Sequence, residues 1–356
     1  MHLNEGKVPE DYRAYTNRKV RWILIGLLLA VIFFIFAISV GAVAIPPLDV
    51  VQSLLGISSL EKWDRIIWNV RLPQALAAVI AGVGLAIAGV AMQSILRNPI
   101  ASPFTLGISS AGAFGAAVSV IVLGTGTMQS SVASPVTISN PYLTTVVAFI
   151  FCMLATGVIL LISHIKGASP EVMVLTGVAL SSLFSAGVMF LQYFSNDAQL
   201  AAVVFWTFGD VGRATWEMLP LLVIVVGAGT LYFIANRWNY NAIDAGDETA
   251  QGLGVNVMRV RLLGMTVAAV ISAVIVALFG VIGFVGLVCP HMVRRLVGDD
   301  QRFLIPGSAV AGAVLLLASD TVARIIVAPY ILPVAVLTAF LGAPVFIYLL
   351  FRGYKR

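Results

Sequence analysis

Charge is what this chain has least of. Of its 356 residues, 10% are Asp, Glu, Lys or Arg, 60% are hydrophobic, and the mean hydropathy is +1.01. Soluble globular domains carry roughly 25% charged residues, so this scarcity excludes a soluble domain and requires an integral membrane protein. Cysteine is nearly missing too: Cys152 and Cys289 both sit in apolar runs, with neither metal-ligand spacing nor a disulfide framework. No Gly-x-x-x-x-Gly-Lys-[Ser/Thr] loop occurs, so the chain cannot itself be a P-loop ATPase. Nor does an apolar run hold a His-Glu-x-x-His or a paired acidic motif, and charges within those runs are almost absent. Proton relays and cation sites need such charges, which weighs against an ion-coupled transporter. His164 and His291 fall near the ends of apolar runs and read as hydrogen-bonded structural residues. The net charge of +5 comes from basic residues beside the apolar runs rather than from a basic face, so no nucleic-acid partner is indicated.

What the chain does have is apolar stretches of membrane-spanning length, roughly 20 residues each. They cannot be barrel strands, which would alternate apolar with polar residues. Ten spans are expected, near 22–45, 71–96, 103–124, 141–164, 171–194, 216–236, 259–280, 282–296, 303–323 and 331–351. The eighth is short and follows almost directly on the seventh. The first follows a polar, basic tail over 1–21; Ala42-Val43-Ala44 imitates a signal cleavage site, but the apolar run is too long for a signal peptide. With the N-terminus inside, sixteen lysines and arginines fall in inner segments and five (Lys62, Arg65, Arg71, Arg213, Arg324) in outer ones. That bias places both termini in the cytoplasm.

The chain also repeats itself. A shift of 191 residues lays Ala77-Ala78-Val79-Ile80 on Ala268-Ala269-Val270-Ile271, Gly89-Val90 on Gly280-Val281, and Pro99 on Pro290. A second match joins Val172–Thr176 to Val334–Thr338, each close behind a proline. The matches link spans two and seven, and five and ten, so each skips five helices. An odd step inverts one half on the other, giving halves near 71–194 and 259–351, and transport paths lie near such interfaces. Gly82, Gly84, Gly89, Gly107, Gly112 and Gly115 crowd spans two and three, where small residues let helices approach closely in lipid.

Between the two halves lies a polar island, Asn236 to Arg261, with its centre over 237–258. Asp247 to Leu253 reads as a short helix closed by Gly254, with Asp247 and Glu248 at the end favoured by the helix dipole. It is either a solvated connector or a helix that docks into a partner's groove. Arg71 and Arg324 stand out at the outer face, against the positive-inside bias. They hold headgroups, pair locally with Asp320 or Asp64, or dock an acidic partner.

The motifs resemble those of the iron-siderophore, haem and vitamin B12 family of bacterial and archaeal ABC importer permeases, from about Trp22 to Arg352. The pieces that carry the resemblance are Arg71-Leu-Pro, Asn98-Pro-Ile-Ala-Ser-Pro-Phe-Thr-Leu-Gly-Ile-Ser-Ser-Ala-Gly-Ala113 and Gly246-Asp-Glu-Thr-Ala-Gln-Gly-Leu-Gly254. Gly283-Phe-Val-Gly-Leu-Val-Cys-Pro-His-Met-Val-Arg294 and Leu341-Gly-Ala-Pro-Val-Phe-Ile347 complete the set. The resemblance implies an all-α type II permease of ten helices in the cell membrane of a bacterium or archaeon. It further implies pairing with a second copy, two cytoplasmic ATP-binding subunits that hold ATP and Mg, and an extracytoplasmic substrate-binding protein. The chain itself would hold no cofactor or metal. Gly246, Asp247, Glu248, Thr249, Gln251, Leu253 and Gly254 match the family's ATPase-coupling helix. Arg71 and Arg324 match positions that meet the binding protein; Gln74 stands where some members have a second arginine, which thins the outer basic pocket. Ser169, Pro170 and Glu171 match the inner gate. Met173, Leu180, Phe184 and Met189 share one helical side there and either line the path or pack the bundle. The expected function is ATP-driven import of a bulky metal chelate by alternating access, ferric siderophore first, haem or a corrinoid next. A secondary transporter acting without an ATPase and a non-transporting scaffold remain as other readings.

Overall fold

Backbone N–H and C=O groups in lipid must be satisfied within the segment, and the computed structural model is accordingly helical almost throughout. It describes residues 10–41, 43–57, 61–128, 136–138, 140–167, 169–327 and 330–353. Lys7, Ala42, Lys355 and Arg356, and with them most of the C-terminal tail, lie outside the described residues. In chain order the helices are α1 (Glu10–Ser39), α2 (Pro47–Leu54), α3 (Glu61–Ile66), α4 (Leu72–Ile95) and α5 (Ile108–Ala117). Next come α6 (Pro141–Ile165), α7 (Pro170–Tyr193), α8 (Asp197–Thr207), α9 (Leu219–Ala235) and α10 (Arg237–Asp244). The last are α11 (Asp247–Gly252), α12 (Val257–Phe279), α13 (Val285–Val297), α14 (Gln301–Ile325) and α15 (Val334–Gly353). One three-residue antiparallel pair, β1 (Gly126–Met128) with β2 (Val136–Ile138), interrupts the helices.

A helix stands at each of the ten expected spans: α1, α4, α5, α6, α7, α9, α12, α13, α14 and α15. Among the described residues six are long and apolar enough to cross a bilayer, and α9 makes a seventh with α10, which bends from it by 60°. α5 and α15 are shorter apolar helices. α13 has 13 residues and rises about 20 Å, short of the ~30 Å hydrocarbon core. α1 starts twelve residues before the expected first span and stops at Ser39 rather than 45, for a reason that lies in the outer arginines described below. α8 has no counterpart among the expected spans. Its start is fixed by a capping box in which Asn196 accepts from the Gln199 backbone N–H and Gln199 returns to the Asn196 backbone.

α4 and α12, the helices of the 191-residue repeat, form the centre, 78% and 72% buried over their most apolar stretches, and they pack on each other. Their surroundings obey the exchange of halves. α4 packs on α14 and α13; α12 packs on α6 and α5, which are the equivalents of α14 and α13. Likewise α5 with α6, α5 with α7, and α6 with α7 are matched by α13 with α14, α13 with α15, and α14 with α15. Two backbone crossings let α4 approach so closely. A Cβ on Gly82 would strike the Gly312 carbonyl of α14, and one on Gly89 would strike the Gly286 carbonyl of α13.

Candidate functional site: a braced polar island and an unpartnered helix

The polar island folds as two short helices clamped to the bundle. Asp244 accepts hydrogen bonds from Ser94 (3.1 Å) at the end of α4 and from Gln301 Nε2 (2.8 Å) at the start of α14. Asn241 accepts from the Gln301 backbone N–H (2.8 Å) and donates to Asp300 (3.2 Å). Burial would raise the Asp300 carboxyl, but hydrogen bonds from Arg302 and Asn241 outweigh it and hold the group below its ordinary value. α10 is thereby held to both halves.

α11 begins at Gly246, whose φ of +119° is open to glycine alone without strain, and ends before Gly254 at φ +81°, the left-handed position expected there. Its first residue, Asp247, is gripped by the guanidinium of Arg261 on α12. Nη1 and Nη2 of Arg261 lie 2.8 and 2.6 Å from the two carboxylate oxygens, and Nε donates to the Ile95 carbonyl at 3.0 Å. The Arg261 side chain is 3% exposed. Arg97, turned by a left-handed backbone (φ +47°), stands 4.0 Å from the same carboxylate. Ala250 packs inward on Ala242, Ile243 and Val257, while Glu248, Thr249 and Gln251 face out and Leu253 is 70% exposed. A rigid base thus presents a short outward face with one apolar side chain at its tip. The sequence reading marked Asp247 as a dipole charge and missed Arg261, because a partner fourteen residues away on another helix leaves no local signal.

Ser169, Pro170 and Glu171 stand beside this base. With Arg97, Asp247 and Arg261 they line a polar cavity of about 570 Å³ where the α6–α7 turn meets the polar island. Ser169 donates to Glu171, and Pro170 opens α7.

α7 packs on α5 and α6 along one side and is open along the other, with 6% of its most apolar stretch buried in the chain. Of the four residues expected on one side of it, three turn inward. Met173 is buried, Leu180 packs on the core, and Phe184 meets Phe114 and Phe151 at 5.6 and 6.4 Å between ring centres. Bundle packing is therefore their role within this chain, and only Met189 is exposed. The outward stripe instead runs through Leu175, Val178, Ser182, Leu183, Ala186 and Phe190. Met189 borders a cavity of about 270 Å³ with Ser109, Ser110, Ser185 and Thr207.

The outer arginines are not rim charges. Arg71 and Arg324 are only 6% and 9% exposed. Arg71, delivered by a π-helical turn over Ile67–Arg71, donates to the carbonyls of Ile38 (2.6 Å), Ser39 (2.9 Å) and Val43. Arg324 donates to those of Ala37 (3.0 Å) and Val40 (3.3 Å) and pairs with Asp320 at 3.1 Å. Together they satisfy the carbonyls that a helix leaves open at its C-terminus, at the negative end of the α1 dipole, and so stop α1 at Ser39. Gln74 donates to Asp320 at 2.9 Å and is also buried. Of the local partners weighed, Asp320 is the one found, and Asp64 is engaged by Ser53.

Known proteins resemble this chain over nearly its whole length. The chain is 50% identical over 349 residues to a Methanocaldococcus jannaschii protein provisionally named ABC transporter permease protein MJ0087, covering 98% of this chain and 99% of that one. It is 35% identical over 326 residues to the hemin transport system permease protein HmuU of Yersinia pestis, covering 92% and 94%. Other relatives carry names for Fe(3+)-citrate, iron(3+)-hydroxamate and vitamin B12 import. A solved structure described as an inward-facing ABC transporter, provisionally of metal-chelate type, aligns with a TM-score of 0.80 at 29% identity, covering 93% of this chain and 98% of that one. The model of the FecCD transport family matches residues 28–352. The chain belongs to the FecCD transport family, and its fold is that of a type II ABC importer permease.

Proposed function

We propose that this permease works as a homodimer with two ATP-binding subunits on its cytoplasmic side, importing a bulky metal chelate delivered by an extracytoplasmic binding protein. Ferric siderophore stands first, with haem and corrinoids as the other members of the class; relatives are named for iron chelates, hemin and vitamin B12. The observation that carries the reading is the coupling segment. A six-residue helix anchored by a buried arginine, with Leu253 exposed at its tip, is a fitting made to push on, or be pushed by, another protein. ATP and Mg belong to that other protein. The two halves (about 71–194 and 259–351), joined by the coupling segment over 237–258, act as one permease domain with both termini cytoplasmic.

The exposed stripe of α7 supports pairing, because an apolar helix that its own chain leaves open is completed by a second copy, with the path between the two. Ser169, Pro170 and Glu171 at the head of α7 act as the inner gate, next to the coupling base. Docking of the binding protein at Arg71, Gln74 and Arg324 rests on the motif alone and requires both guanidiniums to give up the α1 carbonyls. The test is Leu253→Asp, which sets a charge against the apolar wall of the partner's groove. Insertion should be normal, while capture of the ATPase subunit and ATP-dependent uptake are lost. Unchanged capture and uptake would make the segment a connector.

A further inference from the structure

Between α1, α13 and α14 runs a groove of about 300 Å³ lined by apolar side chains. Its floor is α14, where Gly307, Ala311 and Ala318 keep the surface low; the eleven steps from 307 to 318 rise about 16 Å. Trp22 and Leu29 of α1 form one wall, and Met292 and Leu296 of α13 the other. The groove exists because α1 leans on α14 and touches α13 little, and because α13 is short.

One end of the groove is basic. Lys19, one turn before Trp22 and Ile23, is 3% exposed, a burial that lysine rarely accepts without a counter-ion. Its ammonium lies 4.2 Å from the ring centre of Tyr15 and 5.0 Å from that of Phe303, next to Gly298, which follows the groove residue Val297. Among the described residues no carboxylate pairs with it. The acidic pair that follows Gly298 is engaged, Asp299 by Arg294 at 2.9 Å and Asp300 by Arg302 at 2.6 Å. Exposed Arg18 adjoins Lys19 on α1, and Trp22 at the groove mouth is the residue type that settles at a membrane–water interface.

A dry channel of chain length, ending in an indole and an excess of positive charge, is complementary to one kind of occupant. A water-soluble ligand would gain nothing from the apolar floor. A second protein helix is about 10 Å across with its side chains, too wide for a slot of this volume. We propose that the groove binds one hydrocarbon chain of an anionic membrane phospholipid, with the phosphate at the end marked by Lys19 and Arg18. The lipid fills the gap that α1 and α13 leave and fixes α1 to the bundle.

The full chain, purified in detergent, is titrated with phosphatidylglycerol and with phosphatidylcholine of the same acyl chains and read by native mass spectrometry. Phosphatidylglycerol should occupy one site per chain about fivefold more tightly, the factor that ~1 kcal/mol for one basic residue at a lipid surface gives. Ala311→Phe, which fills the floor, should abolish tight binding of both lipids; Lys19→Gln with Arg18→Gln should keep chain binding and level the two affinities. In case Ala311→Phe disturbs packing, the unmodified protein is also labelled with a phosphatidylglycerol bearing a mid-chain diazirine, whose cross-links should gather on the peptides of Met292 and Leu296. Equal affinities in the wild type, or cross-links spread evenly around the bundle, would overturn the proposal. So would a Met292→Cys disulfide between two copies, which would make the groove a protein interface.

Discussion

Removing the Asp247 carboxylate is the perturbation whose effect follows most directly from the geometry. In Asp247→Ala the guanidinium of Arg261, 3% exposed, keeps its bond to Ile95 but loses both carboxylate contacts. Breaking a fully buried pair costs about 3–5 kcal/mol, and an exposed pair is worth about 0–1. Asp247 is 35% exposed, so water partly screens this pair and the cost falls between, about 2 kcal/mol. The pair joins a six-residue helix to the bundle rather than two core elements, so the loss appears as local opening. About 2 kcal/mol corresponds to a roughly 30-fold larger opening equilibrium. Amide hydrogen exchange over 246–254 should therefore quicken by about that factor in Asp247→Ala, with α4 and α12 unaffected. Asp247→Ala with Arg261→Met, which removes the buried charge as well, should recover much of the protection. Unchanged exchange in the single variant would refute the bracing role.

Further outcomes follow from other contacts. Gly89→Ala should abolish folded yield, since its Cβ strikes the Gly286 carbonyl and neither backbone can retreat; detergent size-exclusion profiles show it. Arg324→Gln should loosen the end of α1 and lower thermal stability in detergent even without a binding protein, whereas a docking arginine would leave the isolated permease unchanged. If Gln74→Arg is made, its guanidinium should pair with Asp320 rather than reach a partner, so binding-protein affinity should stay level in a surface-plasmon assay. For topology, Leu253→Cys places a reactive probe at an exposed position of the polar island. It should react only with reagents that enter the cytoplasm, and Phe205→Cys with impermeant ones from outside.

The two-half architecture was legible because α4 and α12 repeat small residues at one spacing, and their crowding of Gly and Ala is what close crossings in lipid require. The short helix of the polar island was legible because its polarity breaks an apolar chain and its glycines mark both ends. Two things were not. The faces of α7 could not be told apart, because lipid, protein and path all accept Leu, Val and Met, so Met173 and Leu183 look alike in sequence while one is buried and the other open. The carbonyl contacts of the outer arginines left no local signal, because α1 ends inside the fold and its open carbonyls take Arg71 and Arg324 across more than thirty and two hundred and eighty residues. The capping box that starts α8 at Asn196 and Gln199 was readable and unused.

The account stands or falls on whether this chain moves its cargo with ATP hydrolysed by another subunit. The direct measurement is uptake of a radiolabelled ferric siderophore, presented with its binding protein, into liposomes holding the permease and its ATPase subunit. Uptake should require ATP on the ATPase side, persist when ionophores collapse every ion gradient, and disappear with Leu253→Asp. Uptake that runs without the ATPase subunit and stops with the gradients would contradict the account and make the chain a secondary transporter.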